Sequence, residues 1–190
     1  MIRAIIFDCF GVVLTDALQA IREELAAADP DAARAISDII AANNRGLMEP
    51  GESNERIAAI LGVTPGTFRR QVETGEVRND ALLQYIVRLR KSYKTAMLSN
   101  IAGSSLARRF PDDELSQYFD EVVASGDIGY AKPATEAYEI TAERLGVRCA
   151  DCVFIDDREL FVEGARAVGM QGIVYSDTAQ FKKELADVIA

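Results

Sequence analysis

Short apolar runs alternate with amphipathic segments along much of this chain. The first run, residues 4–7, contains four consecutive apolar residues and has no polar face. Such a run, bounded by turn signals, is typical of a strand buried on both faces of a parallel sheet. It ends at Asp8, and Gly11 follows where the backbone can turn sharply. Comparable runs predict four further strands, at residues 95–98, 121–125, 152–155 and 171–175.

Only helical periodicity is found between the first two predicted strands. Apolar residues recur three or four positions apart from Ala17 onward, and Asp29-Pro30 divides this pattern into two helices. Shorter helical segments follow, and another helix is expected from Asp80. We therefore predict two domains: an α/β core formed by residues 1–15 and 86–190, and a helical cap domain at residues 16–85.

Strands that alternate with helices predict an α/β fold, a Rossmann-like and mostly parallel sheet with helices on both faces. The carboxyl ends of its strands would share one edge, where such sheets bind ligands. Several polar residues follow the predicted strands and would meet there: Asp8, Ser99, Lys132, Asp156 and Asp157. Each acid and the serine could instead cap a helix, and Lys132 could be a surface lysine. Their joint placement at strand ends favours a functional site.

Composition restricts the class of protein. The chain has 190 residues, of which 49% are hydrophobic, so it can bury a core. A formal net charge of -9 without any run of Lys or Arg argues against nucleic acid or an anionic membrane as partner. No apolar segment reaches the roughly 18 residues of a transmembrane helix, and the amino terminus resembles a core strand more than a signal region. We therefore expect a cytoplasmic protein.

The three cysteines include a C-x-x-C pair, Cys149 and Cys152, while Cys9 lies next to the first strand. A zinc site usually needs about four Cys or His ligands, and the chain has no histidine. A redox function is an alternative, but we expect buried and reduced thiols.

The residues at the predicted sheet edge indicate phosphate chemistry. Three converging carboxylates repel one another, so such a site either becomes protonated or binds a hard cation, and oxygen ligands of this kind suit Mg²⁺. Lys132, the Ser99 hydroxyl and backbone N–H groups after Asp8 and Ser99, which we assign to Gly11 and Asn100, could hold phosphate oxygens. One carboxylate could then attack phosphorus and form an aspartyl-phosphate.

The sequence resembles the haloacid dehalogenase superfamily in four motifs that occur in the family's order. The motifs are Phe7-Asp8-Cys9-Phe10-Gly11-Val12, Leu98-Ser99-Asn100, Gly129-Tyr130-Ala131-Lys132-Pro133 and Phe154-Ile155-Asp156-Asp157. The resemblance implies that Asp8 is the nucleophile, that Ser99 and Lys132 bind the phosphoryl group, and that Asp156 and Asp157 hold Mg²⁺. It further implies that residues 16–85 are a mobile cap that selects the substrate, with hinges expected near residues 15–17 and 86–92. The implied activity is magnesium-dependent hydrolysis of small phosphorylated metabolites, which include sugar phosphates.

The sequence departs from the family's phosphatase pattern at two positions. Phe10 replaces a second aspartate that usually serves as general acid and base, although its backbone carbonyl can still bind Mg²⁺, and Asp16 or an acid of the cap could supply the proton. Phe161 replaces an Asn or Asp that usually supports the metal site. Two alternatives therefore remain open: a binding or regulatory protein without turnover, and a haloacid dehalogenase. The dehalogenases carry an aromatic residue at the position of Phe10 but do not use magnesium.

Overall fold

The computed structural model describes residues 1–49, 51–110 and 113–189. Its strands are β1 Ala4–Phe7, β2 Lys94–Ser99, β3 Glu121–Ala124, β4 Cys152–Asp156 and β5 Gln171–Val174. All neighbouring strands are parallel, in the order β3-β2-β1-β4-β5. The α/β fold predicted from the alternating pattern is therefore confirmed. The predicted domain ranges also include Pro50, Pro111, Asp112 and Ala190, which lie outside the described residues.

Among the described residues, ten α-helices connect or flank these strands. They are α1 Ala17–Ala28, α2 Pro30–Asn44, α3 Glu52–Ile60, α4 Pro65–Gly75, α5 Asp80–Leu89, α6 Gly103–Arg109, α7 Ser125–Ile128, α8 Thr135–Leu145, α9 Glu159–Ala167 and α10 Thr178–Ile189. Two short 3₁₀ helices occupy Glu114–Gln117 and Cys149–Asp151. The third strand ends one residue earlier than predicted, because Ser125 begins α7. Within the described ranges, no helix combines the length and the apolar character that crossing a membrane requires.

Both faces of β1 are buried, because its side chains alternate between two hydrophobic clusters. Ile5 and Phe7 pack on one face with buried residues of α5 and α10, while Ala4 and Ile6 pack on the other face with α8 and α9. This period of two is the geometry of a strand, and the absence of any polar face in the sequence follows from burial on both sides. Helices on both faces of the sheet are thus confirmed.

Helices α1 to α4 form a separate hydrophobic cluster outside the sheet. Its fully buried members are Ile36, Ile57, Ala58, Phe68 and Val72. The break predicted at Asp29-Pro30 is present: Asp29 ends α1, and its carboxylate caps α2 by accepting from the Ala32 amide at 3.0 Å. Pro30 is the first residue of α2, where its missing N–H costs no helical hydrogen bond.

Helix α5 packs with the sheet, although residues up to 85 were assigned to the cap. Leu82, Leu83 and Ile86 are buried in the same cluster as Ile5 and Phe7. The predicted boundary at residues 85 and 86 therefore falls inside a helix whose buried face belongs with the core. Residues 86–89 of the predicted hinge lie within this helix. The hinge and the division into core and cap domains stay predictions.

The two chain segments that connect the core to α1 and α4 run side by side. Leu14 and Arg78 form an antiparallel bridge, the Thr15 amide donates to the Val77 carbonyl at 3.0 Å, and the Asn79 amide donates to the Val13 carbonyl at 2.9 Å. Residues 13–15 and 77–79 are therefore the structural connection between the helical insertion and the sheet.

All three cysteines are free thiols, as predicted. Cys9 and Cys152 are buried, whereas Cys149 is only half-buried. Burial, with the neighbouring Cys149 and Asp151, raises the pKa of Cys152 to about 12, so this thiol is protonated near neutral pH. The group of potential metal ligands found in the described part of the chain contains acids and no cysteine.

Leu185 tests how much stability comes from docking α10 on the sheet. It is fully buried with Phe7 and Ile5, whereas Leu160 on α9 is 56% exposed. Leu185→Ala is expected to lower the free energy of unfolding by about 2–5 kcal/mol, because it removes buried methyl groups and leaves a cavity. The matched control Leu160→Ala should change it by no more than about 0.5 kcal/mol. Urea denaturation measures both, and equal effects would contradict the core assigned here.

Candidate active site

The register of β1 and β4 places two aspartates next to each other. Phe7 pairs with Ile155, so the residues that follow them, Asp8 and Asp156, are neighbours at the same sheet edge. The Asp8 amide continues this ladder by donating to the Ile155 carbonyl at 2.8 Å. Because adjacent carboxylates repel each other, a nearby positive charge would stabilise the ionised forms of both.

Lys132, in the loop before α8, supplies that charge. Its Nζ lies 2.8 Å from Asp8 Oδ1 and 2.6 Å from Asp156 Oδ2, and its side chain is fully buried. Burial by itself lowers the pKa of a lysine, but the Asp156 and Asp8 carboxylates more than offset this effect and raise the pKa of Lys132. The structure thus brings together three of the predicted site residues, and Lys132 is charged between the two acids.

The Asp8 carboxylate is held by one of its two oxygens. Oδ1 accepts from the Cys9 amide at 2.6 Å as well as from Lys132 Nζ. The pKa of Asp8 is raised to about 8, mainly by burial and to a smaller extent by the Asp156 charge, because these effects together exceed the opposing effect of Lys132. A further positive charge at this place would favour the ionised carboxylate.

Asp157 completes a group of three carboxylates. One oxygen from each of Asp8, Asp156 and Asp157 lies within 4.8 Å of the others. Asp156 is engaged at both oxygens, since Oδ2 accepts from Lys132 and Oδ1 accepts from the Arg158 amide at 3.0 Å. Asp157 Oδ1 is buried and has no hydrogen-bond partner among the described residues. Burial and the Asp156 charge raise the pKa of Asp157 to about 6. Because Oδ1 is buried without a partner, a cation, a ligand or water is needed to satisfy this oxygen.

Gly11 allows the Asp157 carboxylate to approach the turn after β1. Its φ is +86°, and a Cβ at this position would lie 2.3 Å from the Asp157 carboxyl carbon. We expected the Gly11 N–H to hold phosphate, but this N–H donates to the Leu14 carbonyl at 2.6 Å. In this structure the function of Gly11 is therefore steric, and its N–H is engaged by the turn itself.

The two residues at the end of β2 differ in their surroundings. Ser99 is fully buried, and its hydroxyl has no hydrogen-bond partner in the described part of the chain. Its contact with phosphate stays a prediction, because Asn100, and not Ser99, lines the neighbouring cavity. The Asn100 side chain donates to the Lys132 carbonyl at 2.9 Å and accepts from the Lys132 amide at 2.8 Å. Asn100 thus fixes the backbone of Lys132, a function that its sequence position did not reveal.

A cavity of about 390 Å³ lies between the sheet edge and helices α1 to α4. Asp8, Lys132 and Phe10 contribute to its wall. The Phe10 ring is 5.3 Å from the guanidinium carbon of Arg109, which is paired with Glu76 at 2.6 Å. Phe10 therefore presents an aromatic ring to the cavity, and no proton donor.

Most charged residues of the cavity wall were not predicted from the sequence, and Arg22 and Arg158 are two of them. Arg22 lies on α1, where it was indistinguishable from a surface arginine of an amphipathic helix. Arg158 directly follows Asp157, and this adjacency to a predicted site residue could have indicated its location. Phe161 also lines the cavity, and its ring lies 5.1 Å from Lys132 Nζ.

A comparison with known protein families matches the part of the chain that contains this site. A family model described as a haloacid dehalogenase-like hydrolase matches residues 2–169. The chain belongs to the haloacid dehalogenase-like hydrolases. The resemblance recognised in the four motifs is thereby confirmed, and the protein is an enzyme of this hydrolase family.

Several relatives of this hydrolase are known. The chain is 30% identical over 152 residues to the sesquiterpene phosphatase astK of Aspergillus oryzae, a match that covers 76% of each chain. A HAD family enzyme of Bacteroides thetaiotaomicron, solved with magnesium and inorganic phosphate, has the same fold, with a TM-score of 0.75 at 20% identity over 95% of this chain and 99% of that one. L-2-haloacid dehalogenase from Xanthobacter autotrophicus has a TM-score of 0.65 at 21% identity over 98% and 83%.

Gly11→Ala tests whether the close approach of Asp157 matters for cation binding. The added methyl group would displace the Asp157 carboxylate, so we expect magnesium affinity to fall at least about tenfold in calorimetric titrations. Gly169→Ala is the matched control, because Gly169 has a φ of +88° and an added Cβ there would meet nothing within 4 Å. Both variants should lose about 1 kcal/mol of stability from backbone strain. Equal magnesium affinities in the two variants would contradict the steric function of Gly11.

Proposed function

We propose that this hydrolase is a magnesium-dependent phosphatase that cleaves small phosphorylated metabolites through an aspartyl-phosphate on Asp8. The observation that carries the proposal is the group of Asp8, Lys132, Asp156 and Asp157, of which Asp8 and Lys132 line a cavity large enough for a small ester. The phosphoryl group would bind against Asp8 and Lys132, and the organic part of the ester, a sugar for example, would occupy the cavity.

The hydrogen bonds of Asp8 assign its two oxygens different functions. Oδ1 is fixed by the Cys9 amide and by Lys132, which leaves Oδ2 as the oxygen that attacks phosphorus. The new bond joins Oδ2 to phosphorus while the bond from phosphorus to the leaving oxygen breaks. Water then attacks the phosphorus of the aspartyl-phosphate, which releases inorganic phosphate and regenerates Asp8. Lys132 Nζ stabilises the negative phosphoryl oxygens in both steps.

The donor atoms at this site fit magnesium, because they are all oxygens and one of them, Asp157 Oδ1, is buried without a partner among the described residues. Asp8, Asp157 and the Phe10 carbonyl would hold the ion, while Asp156, engaged at both oxygens, would act mainly by anchoring Lys132. Three ionised carboxylates and one ammonium leave a formal charge of about -2, which a divalent cation neutralises. When bound, Mg²⁺ would stabilise negative charge on the phosphoryl oxygens and favour the ionised form of Asp8.

The comparisons support a phosphatase over other hydrolases of the family. The Aspergillus relative is named a phosphatase, and the Bacteroides enzyme was solved with magnesium and inorganic phosphate. Those descriptions apply to those proteins. For this chain we propose hydrolysis of a phosphate monoester, because this reaction agrees both with the site geometry and with the descriptions of these relatives.

Asp8→Asn is expected to lower kcat at least about 10⁴-fold, because an amide cannot act as the nucleophile in this reaction. Its far-UV circular dichroism should remain that of the unmodified enzyme. Asp38→Asn is the control for loss of one negative charge, since Asp38 is exposed on α2, and it should keep full activity. A phosphometabolite panel assayed with magnesium, and again after chelation with EDTA, measures these effects. EDTA should abolish turnover.

The same panel distinguishes the phosphatase from a binding or regulatory protein. A phosphatase given a radiolabelled phosphate ester and quenched in acid should retain label on Asp8, and Asp8→Asn should retain none. Tight binding of esters by the unmodified protein without label or turnover would favour the binding protein instead.

Because Phe10 stands where the family usually has an aspartate, no acid at that position can protonate the leaving group. Asp16 is one alternative, because it lines the cavity and its charge contributes to raising the pKa of Asp157. However, Asp16 Oδ1 already accepts from the Gln19 amide at 2.8 Å and caps α1. The departing oxygen must then leave with more negative charge, so the rate should depend on how well it carries that charge.

For a series of aryl phosphates, log kcat/KM is therefore expected to fall steeply as the leaving-group pKa rises. Phe10→Asp should raise the rate for poor leaving groups by up to roughly 10²- to 10⁴-fold and should change little for good ones. Asp16→Asn, which preserves the helix cap, should leave the slope unchanged. A flat plot for the unmodified enzyme, with chemistry rate-limiting, that becomes steep in Asp16→Asn would identify Asp16 as the acid and contradict the prediction.

Phe10 is also the observation that favours the second candidate, a haloacid dehalogenase. In that reaction a carboxylate attacks carbon and displaces a halide, so the site must accept the carboxylate of the substrate. The additional acid Asp157 opposes this candidate, because a substrate carboxylate would be repelled in the absence of a cation. Halide release from 2-chloropropionate, insensitive to EDTA, would establish the dehalogenase and refute the phosphatase.

A further inference from the structure

We propose that Arg22 and Arg158 form an anion-binding subsite beside the phosphoryl site. The subsite would select phosphate esters that carry a second anionic group, either a carboxylate or another phosphate. This inference rests on the proposed phosphatase function, but it concerns residues that the reaction itself does not use.

Arg22 and Arg158 reach the cavity from different elements of the chain. Arg22 belongs to α1 of the helical insertion, whereas Arg158 lies between β4 and α9 of the core. Both residues line the main cavity, and both also line a second cavity of about 430 Å³ next to it. They therefore lie where the two cavities meet, and an anion held by both would contact cap and core at once.

The cavity wall carries more cations than its own acids neutralise. Its charged residues are Asp8, Asp16, Arg22, Arg69, Glu73, Glu76, Arg108, Arg109, Lys132 and Arg158. Lys132 is paired with Asp8, and Arg109 is paired with Glu76. In the described ranges, neither Arg22 nor Arg158 has an acidic side chain within salt-bridge distance, and Arg22 Nε is buried without a hydrogen-bond partner. An anionic ligand could pair with both guanidinium groups. This local excess of positive charge contrasts with the formal net charge of the protein, which is -9.

Phe161 explains how Arg158 stays available to such an anion. The guanidinium carbon of Arg158 lies 4.3 Å from the centre of the Phe161 ring. Phe161 occupies the position where the family usually has Asn or Asp. A carboxylate there could pair with Arg158 and neutralise it, whereas a phenyl ring orients the guanidinium and leaves its charge available. This departure from the family pattern thus has a physical consequence at the cavity wall.

Guanidinium groups recognise carboxylates and phosphates through paired hydrogen bonds, so either group suits this subsite. The Phe161 ring centre lies 4.3 Å from the Arg158 guanidinium carbon and 5.1 Å from Lys132 Nζ, so both cationic groups contact the same ring. The second anionic group must therefore lie near the phosphoryl group. A compact ester, in which few bonds separate the two anionic groups, fits this arrangement.

The test uses benzylphosphonates, which imitate phosphate esters but are not hydrolysed. Each carries either a carboxylate or a carboxamide at the meta or para position, two groups of similar size that differ in charge. Calorimetric titration in the presence of magnesium should show about 10- to 100-fold tighter binding of at least one carboxylate than of its carboxamide. This ratio should fall toward one in Arg22→Gln and in Arg158→Gln. Arg70→Gln, an exposed arginine of α4 outside the cavity wall, should keep the original ratio.

The subsite is refuted if the unmodified protein binds the members of each pair equally, if neither member binds, or if the ratio persists in both variants. Because the measured quantity is a ratio, a general loss of affinity does not imitate the expected result. Turnover of the corresponding phosphate esters separates this inference from the proposed function. Turnover without preference for the carboxylate would reject the subsite alone, and preference in phosphonate binding without any turnover would reject the phosphatase alone.

Discussion

The site depends on one buried ammonium group placed between two buried carboxylates. Lys132 Nζ contacts Asp8 and Asp156 with a side chain that is fully out of solvent. Removing one member of such a group leaves an uncompensated charge and costs about 3–5 kcal/mol, yet apolar side chains of similar volume would stabilise the fold at least as well. Stability alone therefore does not explain this arrangement, whereas chemistry on a negatively charged substrate does.

The rest of the structure fixes this ion group from several directions. The parallel register of β1 and β4 places Asp8 beside Asp156, and the Asn100 side chain binds both the amide and the carbonyl of Lys132. Phe154 and Phe161 have ring centres 5.2 and 5.1 Å from Lys132 Nζ and exclude water from it. Because the lysine is held by backbone register and side-chain packing together, little reorganisation would be needed for it to bind the proposed phosphoryl group.

The sequence was most informative where a residue's environment follows from strand geometry. Asp8, Lys132 and Asp156 could be grouped in advance because parallel strands end at one edge, and the apolar run of β1 predicted its burial on both faces. The periodicity of α5 predicted a helix but could not show which surface it packs on, so it was assigned to the cap. The engaged N–H of Gly11 and the contacts of Asn100 and Arg22 arise from segments that meet only in the folded chain, and no local pattern encodes them.

Phe10 connects the turn after Asp8 to the helical insertion, which the family resemblance implies is mobile. Its ring packs against Arg109 of α6, and Arg109 is paired with Glu76 in the segment that leaves α4. This segment leads directly into residues 77–79, which are hydrogen-bonded to residues 13–15. The aromatic side chain thus has a structural reason to be present in a phosphatase that lacks the second acid. An acid at this position would compete with Glu76 for Arg109, and Glu76 belongs to the segment that connects the helical insertion to the core. A substitution that adds a proton donor here would therefore also alter a contact that helps to hold the insertion in position.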